Sequence, residues 1–599
     1  MFRPIPPEIA SRIEEDKEAR KRRIEPAEHA AYAAKPKVYR LYKSSKMGSM
    51  QPSSSLLLDL EEPSSTSSEE EISSVSVKKT SKVSAESPLR FFTLGCQGNA
   101  KSAQIMVANL MEQVASQSDA PPDFILILGD NFYDWGVDAP DNPMFQTNFH
   151  AIYQNPKLGT ISKIPCFVIL GNHDENLHKL GVLEAEKGVS RGMHQVAHTY
   201  LPRTKKYPTT ESLQQLYRSH TDDEVVDLDL DNLPSWNMPS RTYSLISGDT
   251  QIFCIDSNTY VSDYLKMIAG DENPYNQAIW VAEEVRKAKE SGRKVLLALH
   301  HPPVTPGKRA FHNDISLYLS KQEIASEAFN SCFGKLMHEH SVSYNTLMLE
   351  TFKQQKLVFD AIFAAHDHDI YYYNNKESRD MEYPVCQITS GGGGGGLQER
   401  ESFDQQQDMG CFLKRHGFTV VDCPQGDRPL HFNICTVPKS QTDRAFHLHF
   451  DSADHRPYRT YPKEMLKEEK EATEQFCRVV EIALYRYLGE FLGPRQKREK
   501  GSFLGTSPIS GNVSHGKDGV ERAHTIWAYI CQAHGDSLLN TLKTVHSLSR
   551  WGGTFTSPTA HSFITLLNAE IEKKYGKGMN MDRLIETVEK QQRNERRFF

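Results

Sequence analysis

The sequence predicts an α/β or layered α+β domain in the middle of the chain. Six nearly continuous apolar runs occur between positions 123 and 390, as is typical of strands in sheets covered on both faces. SAQIMVANLMEQVAS lies between the apolar start of RFFTLGCQGN and the first of these runs, NQAIWVAEEVRKAKES lies between two of the runs, and both segments show helical periodicity. Alternation of strands with helices favours a layered architecture. The runs are DFILILGD, PCFVILGN, QIFCIDSN, RKVLLALHH, DAIFAAHD and YPVCQITS.

The chain of 599 residues is too long for one hydrophobic core. Its composition indicates three parts. Residues 1–88 are rich in Ser and Glu, and we expect them to be disordered. Residues 89–455 contain the strands and helices, with insertions near 175–232 and 309–350. Residues 465–599 show helical patterns without strand signals, including an apolar stripe in FCRVVEIALYRYLGEFLG, and predict a helical C-terminal domain.

Charge and hydropathy exclude some classes of partner. The net charge of −7 creates no basic field, so we expect no nucleic-acid partner. We also expect no membrane span, because no run of about 18 apolar residues occurs. The charged N-terminus lacks the apolar segment of a cleavable signal peptide. The ten cysteines form no CxxC pair, which favours reduced thiols in the cytoplasm and leaves export by another route open.

Four polar clusters follow the ends of predicted strands, where ligands bind in layered α/β proteins: GDNFYDWG, GNHD, LHHPPV and AAHDHD. Their carboxylate, amide and imidazole groups suit two adjacent cations of Fe, Zn or Mn. A lone histidine near an apolar strand is more often a hydrogen-bonded core residue, but four clusters in this order favour a metal site. The residues they supply are Asp130, Asn131, Tyr133, Asn172, His173, Asp174, His300, His301, His366 and His368.

The order GD…GNHD…HxP…HxH resembles that of the calcineurin-like metallophosphoesterases. More narrowly, GDNFY and the later WNMPSRTYSL resemble the purple, tartrate-resistant acid phosphatases. The resemblance covers about residues 90–450 and implies a four-layer α/β/β/α sandwich of two mixed β-sheets. It also implies a dinuclear metal site on the loops that follow the strands.

The resemblance implies two sets of metal ligands that share Asp130. One metal would take Asp130, Asn172, His300 and His366. We choose His300 over His301 because it is the first residue of His-x-Pro. The other metal, which is ferric in the purple phosphatases, would take Asp130, Tyr133, His368 and an aspartate from RFFTLGCQGN, whose position holds Cys96.

Cys96 leaves three interpretations open. It is a thiolate ligand, which would favour zinc or ferrous iron, or it is a replacement that does not bind and leaves a weaker metal site. In the third interpretation the protein has lost catalysis and keeps the fold for binding, with Cys96 as a buried core residue. The survival of the other ligands argues against the third interpretation, because a decaying site would lose several of them.

The resemblance implies hydrolysis of phosphomonoesters by attack of a metal-bound hydroxide. His173 would act on the phosphoryl group or the leaving alkoxide, and Asp174 would orient the His173 ring. We expect further contacts with the substrate from residues beside the ligands and from the loop after His-x-Pro, where a solvated basic turn is the simpler explanation. These candidates are Asn131, His301, Lys308, Arg309 and His312.

Two other functions remain open at this stage. A phosphodiesterase acting on a nucleotide or a lipid head group would use the same dinuclear site, and a catalytically weak metal-binding protein would use its helical domain to recruit partners. The substrate is a phosphorylated small molecule or a phosphoprotein, and the helical domain is a candidate surface for a protein partner. The glycine run at 390–396 is either a rim of the site or a plain connection.

Overall fold

The computed structural model describes most of the chain, with gaps: residues 7–47, 88–175, 191–203, 205–218, 225–258, 277–305, 351–375, 385–398, 411–438, 445–454, 457–492, 522–523, 525–532, 535–549 and 562–595. The helices are α1 (Pro7–Ala33), α2 (Ser44–Met47), α3 (Ser102–Gln117), α4 (Ala151–Tyr153), α5 (Arg191–Thr199), α6 (Thr210–Leu216), α7 (Gln277–Glu290), α8 (Lys467–Leu492), α9 (Leu538–Ser549), α10 (Phe563–Tyr575) and α11 (Met581–Glu595). The strands are β1 (Val38–Tyr42), β2 (Leu89–Leu94), β3 (Phe124–Ile127), β4 (Cys166–Val168), β5 (Val226–Asp229), β6 (Trp236–Asn237), β7 (Tyr243–Ser247), β8 (Thr250–Cys254), β9 (Lys294–Ala298), β10 (Ala361–Ala364), β11 (Ile370–Asn374), β12 (Cys386–Ser390), β13 (Cys411–Leu413), β14 (Gly417–Cys423), β15 (His431–Thr436) and β16 (His447–Asp451).

The described strands form two mixed sheets. The seven-stranded sheet has the order β16-β15-β14-β2-β3-β4-β6, and the nine-stranded sheet has the order β13-β11-β12-β10-β9-β8-β7-β1-β5. In the first sheet β2, β3 and β4 are parallel neighbours, and in the second β8, β9, β10 and β12 are. Each of the six predicted apolar runs contains one strand, so these sequence predictions are confirmed.

The two sheets pack face to face, and helices cover their outer faces. Phe91 of β2 and Phe363 of β10 meet between the sheets with their ring centroids 5.5 Å apart. Helix α3 packs on the seven-stranded sheet, and α7 packs on the nine-stranded sheet over a second apolar cluster that includes Val281 and Leu297. The four-layer α/β/β/α fold implied by the family resemblance is therefore confirmed.

The N-terminal segment corrects one prediction. Residues 7–47 are not disordered as we expected from residues 1–88, because they form α1, β1 and α2. Strand β1 lies between β5 and β7 and is parallel to both. The pattern VYRLY places Tyr39 and Leu41 on the buried face of this strand, and those two apolar contacts outweigh the polar composition around them. Residues 48–87 lie outside the described residues.

The C-terminal region confirms the helical prediction. Helix α8 carries the predicted apolar stripe, and α8 packs against α9 and α10, while α11 packs against α9 and α10. The stripe residues whose side chains are described are buried: Phe476, Val480, Ala483, Leu484 and Tyr487. The helix start predicted at Ser557-Pro558 lies outside the described residues.

Two further features concern membrane spans and cysteines. Among the residues that it describes, no helix combines the length and apolar character needed to cross a membrane. The cysteines in the described part of the chain are buried and form no disulfide bonds there.

We predict that β1 is essential for stability, because it completes the nine-stranded sheet. Tyr39 is 2% exposed and its ring packs against Tyr217, so Tyr39→Ala should lower the free energy of unfolding by about 3–5 kcal/mol in urea denaturation. Tyr42→Ala is the matched control, because Tyr42 lies on the same strand and is 40% exposed; this change should cost less than about 0.5 kcal/mol. Equal, negligible effects would mean that β1 is not part of the folded core.

Candidate metal centre

The candidate ligands lie on loops that follow parallel strands of both sheets. Cys96, Asp130 and Asn172 follow β2, β3 and β4 of the seven-stranded sheet, whereas His300 and His366 follow β9 and β10 of the nine-stranded sheet. These five residues are at most 5% exposed. Because the sheets face each other, the carboxyl ends of these strands meet at one rim, and the ligands from both sheets come together there.

One half of the centre surrounds the Nε2 atom of His300. This atom lies 3.0 Å from Oδ1 of Asn172, 3.1 Å from Nδ1 of His366 and 3.4 Å from Oδ1 of Asp130. The Nδ1 atom of His300 lies 2.8 Å from the carbonyl oxygen of Leu128, which can only accept, so Nδ1 carries a proton. In the neutral ring, Nε2 then presents a lone pair toward Oδ1 of Asn172, Oδ1 of Asp130 and the His366 ring. A cation between them satisfies this donor set.

The other half surrounds the hydroxyl group of Tyr133. This hydroxyl lies 2.9 Å from Oδ2 of Asp130 and 3.0 Å from Nε2 of His368. Nδ1 of His368 lies 2.8 Å from the carbonyl oxygen of Gly396, so Nδ1 is protonated and Nε2 again faces the site with a lone pair. The single hydroxyl proton of Tyr133 cannot be donated to both Asp130 and His368. A cation bound by the three side chains would satisfy the acceptor that receives no proton.

Cys96 lies inside this cluster. Its sulfur and ligand atoms of Asp130 and His300 all lie within 4.8 Å of one another, and the side chain is 0% exposed. Burial and the negative charge of Asp130 raise the pKa of the Cys96 thiol well above its ordinary value. A thiol in this position would ionise only beside a cation, because a cation reverses the electrostatic penalty.

The charges of the centre compensate one another in part. Burial raises the pKa of Asp130, but His300, His173 and His366 outweigh burial and hold this pKa well below the ordinary value. Burial lowers the pKa of His300, but the charge of Asp130 outweighs burial and raises it. These interactions therefore keep Asp130 ionised, the form in which a carboxylate can bind a cation.

The backbone at the ligands is strained. Cys96, Asp130 and His366 have φ values of 56°, 54° and 66°, in the left-handed region that residues with a Cβ atom rarely adopt. Each costs on the order of 1–3 kcal/mol and persists only where the surrounding structure enforces it. Strain at three candidate ligands, which come from three different strands, is typical of a functional site.

Comparison with known families agrees with this geometry. Residues 104–369 match the family model described as Calcineurin-like phosphoesterase. This part of the chain is similar to the calcineurin-like phosphoesterases. The matched segment includes the candidate ligands from Asp130 to His368, whereas Cys96 precedes it.

The curated relatives are acid phosphatases. The tartrate-resistant acid phosphatase type 5 of Homo sapiens is 27% identical over 218 residues, which are 36% of this chain and 56% of the relative. The purple acid phosphatase 4 of Arabidopsis thaliana is 22% identical over 329 residues, 55% of this chain and 75% of the relative. The chain therefore spans little more than half the length of the human relative. A solved structure described as "GAP50 the anchor in the inner membrane complex of Plasmodium" is 17% identical with a TM-score of 0.35, over 60% of this chain and 89% of that one.

The glycine run at 390–396 is a rim of the site, one of the two alternatives open from the sequence. The N–H groups of Gly393 and Gly395 donate to the carbonyl oxygens of Gly95 and Cys96, at 3.1 and 2.7 Å. A Cβ atom at Gly395 would lie 2.7 Å from the His368 ring, and one at Gly393 would lie 2.5 Å from the Gly95 oxygen. Only glycine permits this approach, which holds the Cys96 turn against the loop of His368.

Asp174 does not orient the His173 ring, so that expectation is wrong. The Asp174 carboxylate instead accepts the backbone N–H groups of Gly171 at 2.7 Å and Asn131 at 2.9 Å, and Nε2 of Gln195 at 2.8 Å. The His173 ring is held through Nδ1, which lies 2.9 Å from the carbonyl oxygen of Asp134. Asp174 therefore fixes the loops that carry Asp130 and Asn172. Burial and the charge of Asp130 raise the pKa of Asp174 to about 7.

Asn131 is not a substrate contact, so this expectation is also wrong. Its side chain is 2% exposed, and its Nδ2 atom donates to the carbonyl oxygen of Ile169 at 2.8 Å and to Gln195 at 3.1 Å. Its Oδ1 accepts from Gln97 at 3.2 Å. The amide is engaged on both sides by the protein and cannot reach a ligand.

The remaining candidates divide into two groups. His301 lies beside the centre and is 2% exposed, so it is brought to the site. The three basic candidates of the following loop lie outside the described residues: Lys308, Arg309 and His312.

The structure adds supporting residues that the sequence analysis missed. The polar end of the QIFCIDSN run, residues 256–258, lies at the same rim, and Nδ2 of Asn258 donates to the carbonyl oxygen of Gly171 at 3.2 Å. This run had the signal of the other clusters, an apolar strand that ends in polar residues. Gln195 carried no signal, because it lies on a helix in the insertion near 175–232.

We predict that Gly395→Ala weakens metal binding, because the added Cβ atom would displace the His368 ring from its present position. Affinity for Zn²⁺, measured by calorimetric titration, should fall by about 10- to 100-fold, the usual effect of disturbing a ligand's support. Gly159→Ala is the control, because the nearest atom to its Cβ would be 3.9 Å away. An unchanged affinity in Gly395→Ala would contradict the role assigned to the glycine run.

Proposed function

We propose that the domain formed by the two sheets is a metal-dependent phosphatase that hydrolyses phosphomonoesters. The observation that supports this proposal is the meeting of Asp130, Asn172, His300, His366 and His368 at one rim, where their oxygen and nitrogen atoms lie close to one another or to the Tyr133 hydroxyl. The similarity to acid phosphatases favours monoesters over diesters. The natural substrate is a phosphorylated small molecule or protein.

The donor set fits two cations that share Asp130. The first would be held by Asp130, Asn172, His300 and His366, and the second by Asp130, Tyr133, His368 and Cys96. When bound, the cations would neutralise phosphate charge and lower the pKa of water for attack on phosphorus. Sulfur at one position favours Zn²⁺ or Fe²⁺ over a ferric ion.

We assign Cys96 as the sulfur ligand of the second cation. Its thiol lies with Asp130 and His300 inside 4.8 Å, and its backbone N–H donates to the carbonyl oxygen of Gly129 at 3.0 Å. The glycine run holds its carbonyl oxygen from the other side. This fixed position supports a ligand better than a core residue, because an ordinary core cysteine needs no left-handed backbone.

His173 is the proposed acid that assists the leaving group. Its backbone N–H donates to Oδ1 of Asp130 at 3.0 Å, which ties its position to the centre. The carbonyl oxygen of Asp134 accepts from Nδ1, so Nε2 is the ring atom that would contact the phosphoryl group or the leaving oxygen. The side chain is half-buried at the rim, as expected for a group that meets substrate.

We predict that Asp130→Asn abolishes hydrolysis of 4-nitrophenyl phosphate, because the neutral amide removes the charge shared by both cations. The exposed Asp119→Asn is the control and should keep wild-type turnover. Bis(4-nitrophenyl) phosphate, assayed in parallel, separates a monoesterase from a diesterase. Full activity in Asp130→Asn would contradict the proposal, and metal binding without hydrolysis of either ester would indicate a binding protein instead.

We predict that Cys96→Ala loses about one metal ion per chain relative to wild type, because one cation loses a direct ligand. Cys96→Asp should retain both ions, since a carboxylate supplies an oxygen in place of sulfur. Elemental analysis after gel filtration, with turnover of 4-nitrophenyl phosphate on each variant, measures both effects. Equal metal content in wild type and Cys96→Ala would show that the thiol is not a ligand.

A further inference from the structure

A third imidazole ring lies against the His300 half of the centre. The ring centroid of His301 is 5.0 Å from that of His300 and 4.5 Å from that of His366. One ligand nitrogen of each of these three histidines lies within 4.8 Å of the others, and the three side chains are at most 3% exposed. Three buried imidazoles at such separations are within small movements of sharing one ion.

The His301 ring is oriented by a hydroxyl group. Oγ of Ser257 lies 2.7 Å from Nδ1 of His301 and accepts the His301 backbone N–H at 3.2 Å. His300 and His368 are held in a comparable way, since a backbone carbonyl oxygen lies 2.8 Å from Nδ1 in each. An oxygen that holds one ring nitrogen fixes the aim of a metal-binding histidine, and with Ser257 Oγ accepting from Nδ1, the Nε2 atom of His301 presents a lone pair that can bind a cation.

Ser257 is itself rigidly placed. It is 0% exposed and lies between Asp256 and Asn258, and Oδ1 of Asp256 accepts the Asn258 backbone N–H at 3.0 Å. Asp256 is paired with Arg241, which also contacts Glu175 beside the GNHD loop. The loop after β8 is therefore tied to the loop of Asn172, so the position of His301 is preorganised with the ligands.

We propose that His301 is an additional ligand of the cation held by Asn172, His300 and His366, with Ser257 as its positioning residue. This inference rests on the metal centre of the proposed function and deepens it. A third imidazole gives this half of the centre three nitrogen donors, whereas the Cys96 half has one nitrogen donor, from His368. Nitrogen donors suit Zn²⁺ and oxygen donors suit Mn²⁺, so the proposal assigns a preference for Zn²⁺ to the His301 half.

The sequence analysis considered His301 as a substrate contact. Its burial at 2% exposed and its closeness to the ligand nitrogens favour the metal instead. A metal ligand and a substrate contact predict different effects when His301 is replaced. A ligand alters metal affinity, whereas a substrate contact alters the affinity of the metal-loaded protein for phosphate.

The test is titration of the metal-free protein with Zn²⁺ and separately with Mn²⁺. His301→Phe keeps the ring shape and removes both nitrogens, and it should weaken Zn²⁺ binding at one site by more than about 10-fold, with a smaller loss for Mn²⁺. Ser257→Ala keeps the imidazole and should weaken Zn²⁺ binding by about 10-fold. Thermal unfolding of the metal-free variants separates loss of metal from loss of fold.

Double variants identify the ion that His301 serves. His301→Phe and Asn172→Ala should be non-additive in Zn²⁺ affinity, because both act on one cation, whereas His301→Phe and Cys96→Ala should add. The control is His449→Gln, which should leave metal affinity unchanged. His449 lies in β16, is half-buried and packs on the ring of Tyr458.

Two results would overturn the proposal. One is unchanged Zn²⁺ affinity in both His301→Phe and Ser257→Ala. The other is a His301→Phe variant that binds Zn²⁺ as tightly as wild type but, when loaded with metal, binds inorganic phosphate more weakly. Neither result depends on turnover. A protein that binds metal as expected but hydrolyses no phosphate ester would contradict the proposed function alone.

Discussion

The buried carboxylate of Asp130 is the group on which the arrangement of the site depends. It is 1% exposed, and its two oxygens reach both halves of the centre, toward His300 on one side and Tyr133 on the other. A buried charge is costly unless charged or hydrogen-bonding groups compensate it. The backbone N–H of His173 and the imidazoles from the opposite sheet provide that compensation. The two sheets are therefore joined at this rim electrostatically as well as by the apolar core between them.

A second carboxylate, that of Asp174, holds the loops that bring Asp130 into place. Its oxygens accept backbone N–H groups from both the β3 and β4 loops and the side-chain amide of Gln195. Gln195 lies on α5, which packs against α1, and Glu28 of α1 lies 3.3 Å from His194 of α5. The N-terminal helix α1 thus supports the loops after β3 and β4 through one intervening helix, although α1 is remote from them in sequence.

The sequence predicted the layered core well, because continuous apolar runs such as FILI and KVLLA have few alternatives to a strand buried on both faces. It failed for residues 7–47, where the helix and strand are stabilised by contacts with distant segments rather than by their own composition. Asn131 and Asp174 were misassigned for a related reason. Both are adjacent to ligands in sequence, but position along the chain does not say whether a side chain faces the site or the loops behind it.

The sequence by itself determined the class of fold and the chemistry of the donor groups, since strand periodicity and residue type are local properties. The tertiary structure decided which donors face one another, because those distances depend on how two sheets pack. It also decided that the glycine run is a close contact with Cys96 and His368, and that His301 joins the imidazoles of His300 and His366. These relations join residues up to hundreds of positions apart, and no local pattern encodes them.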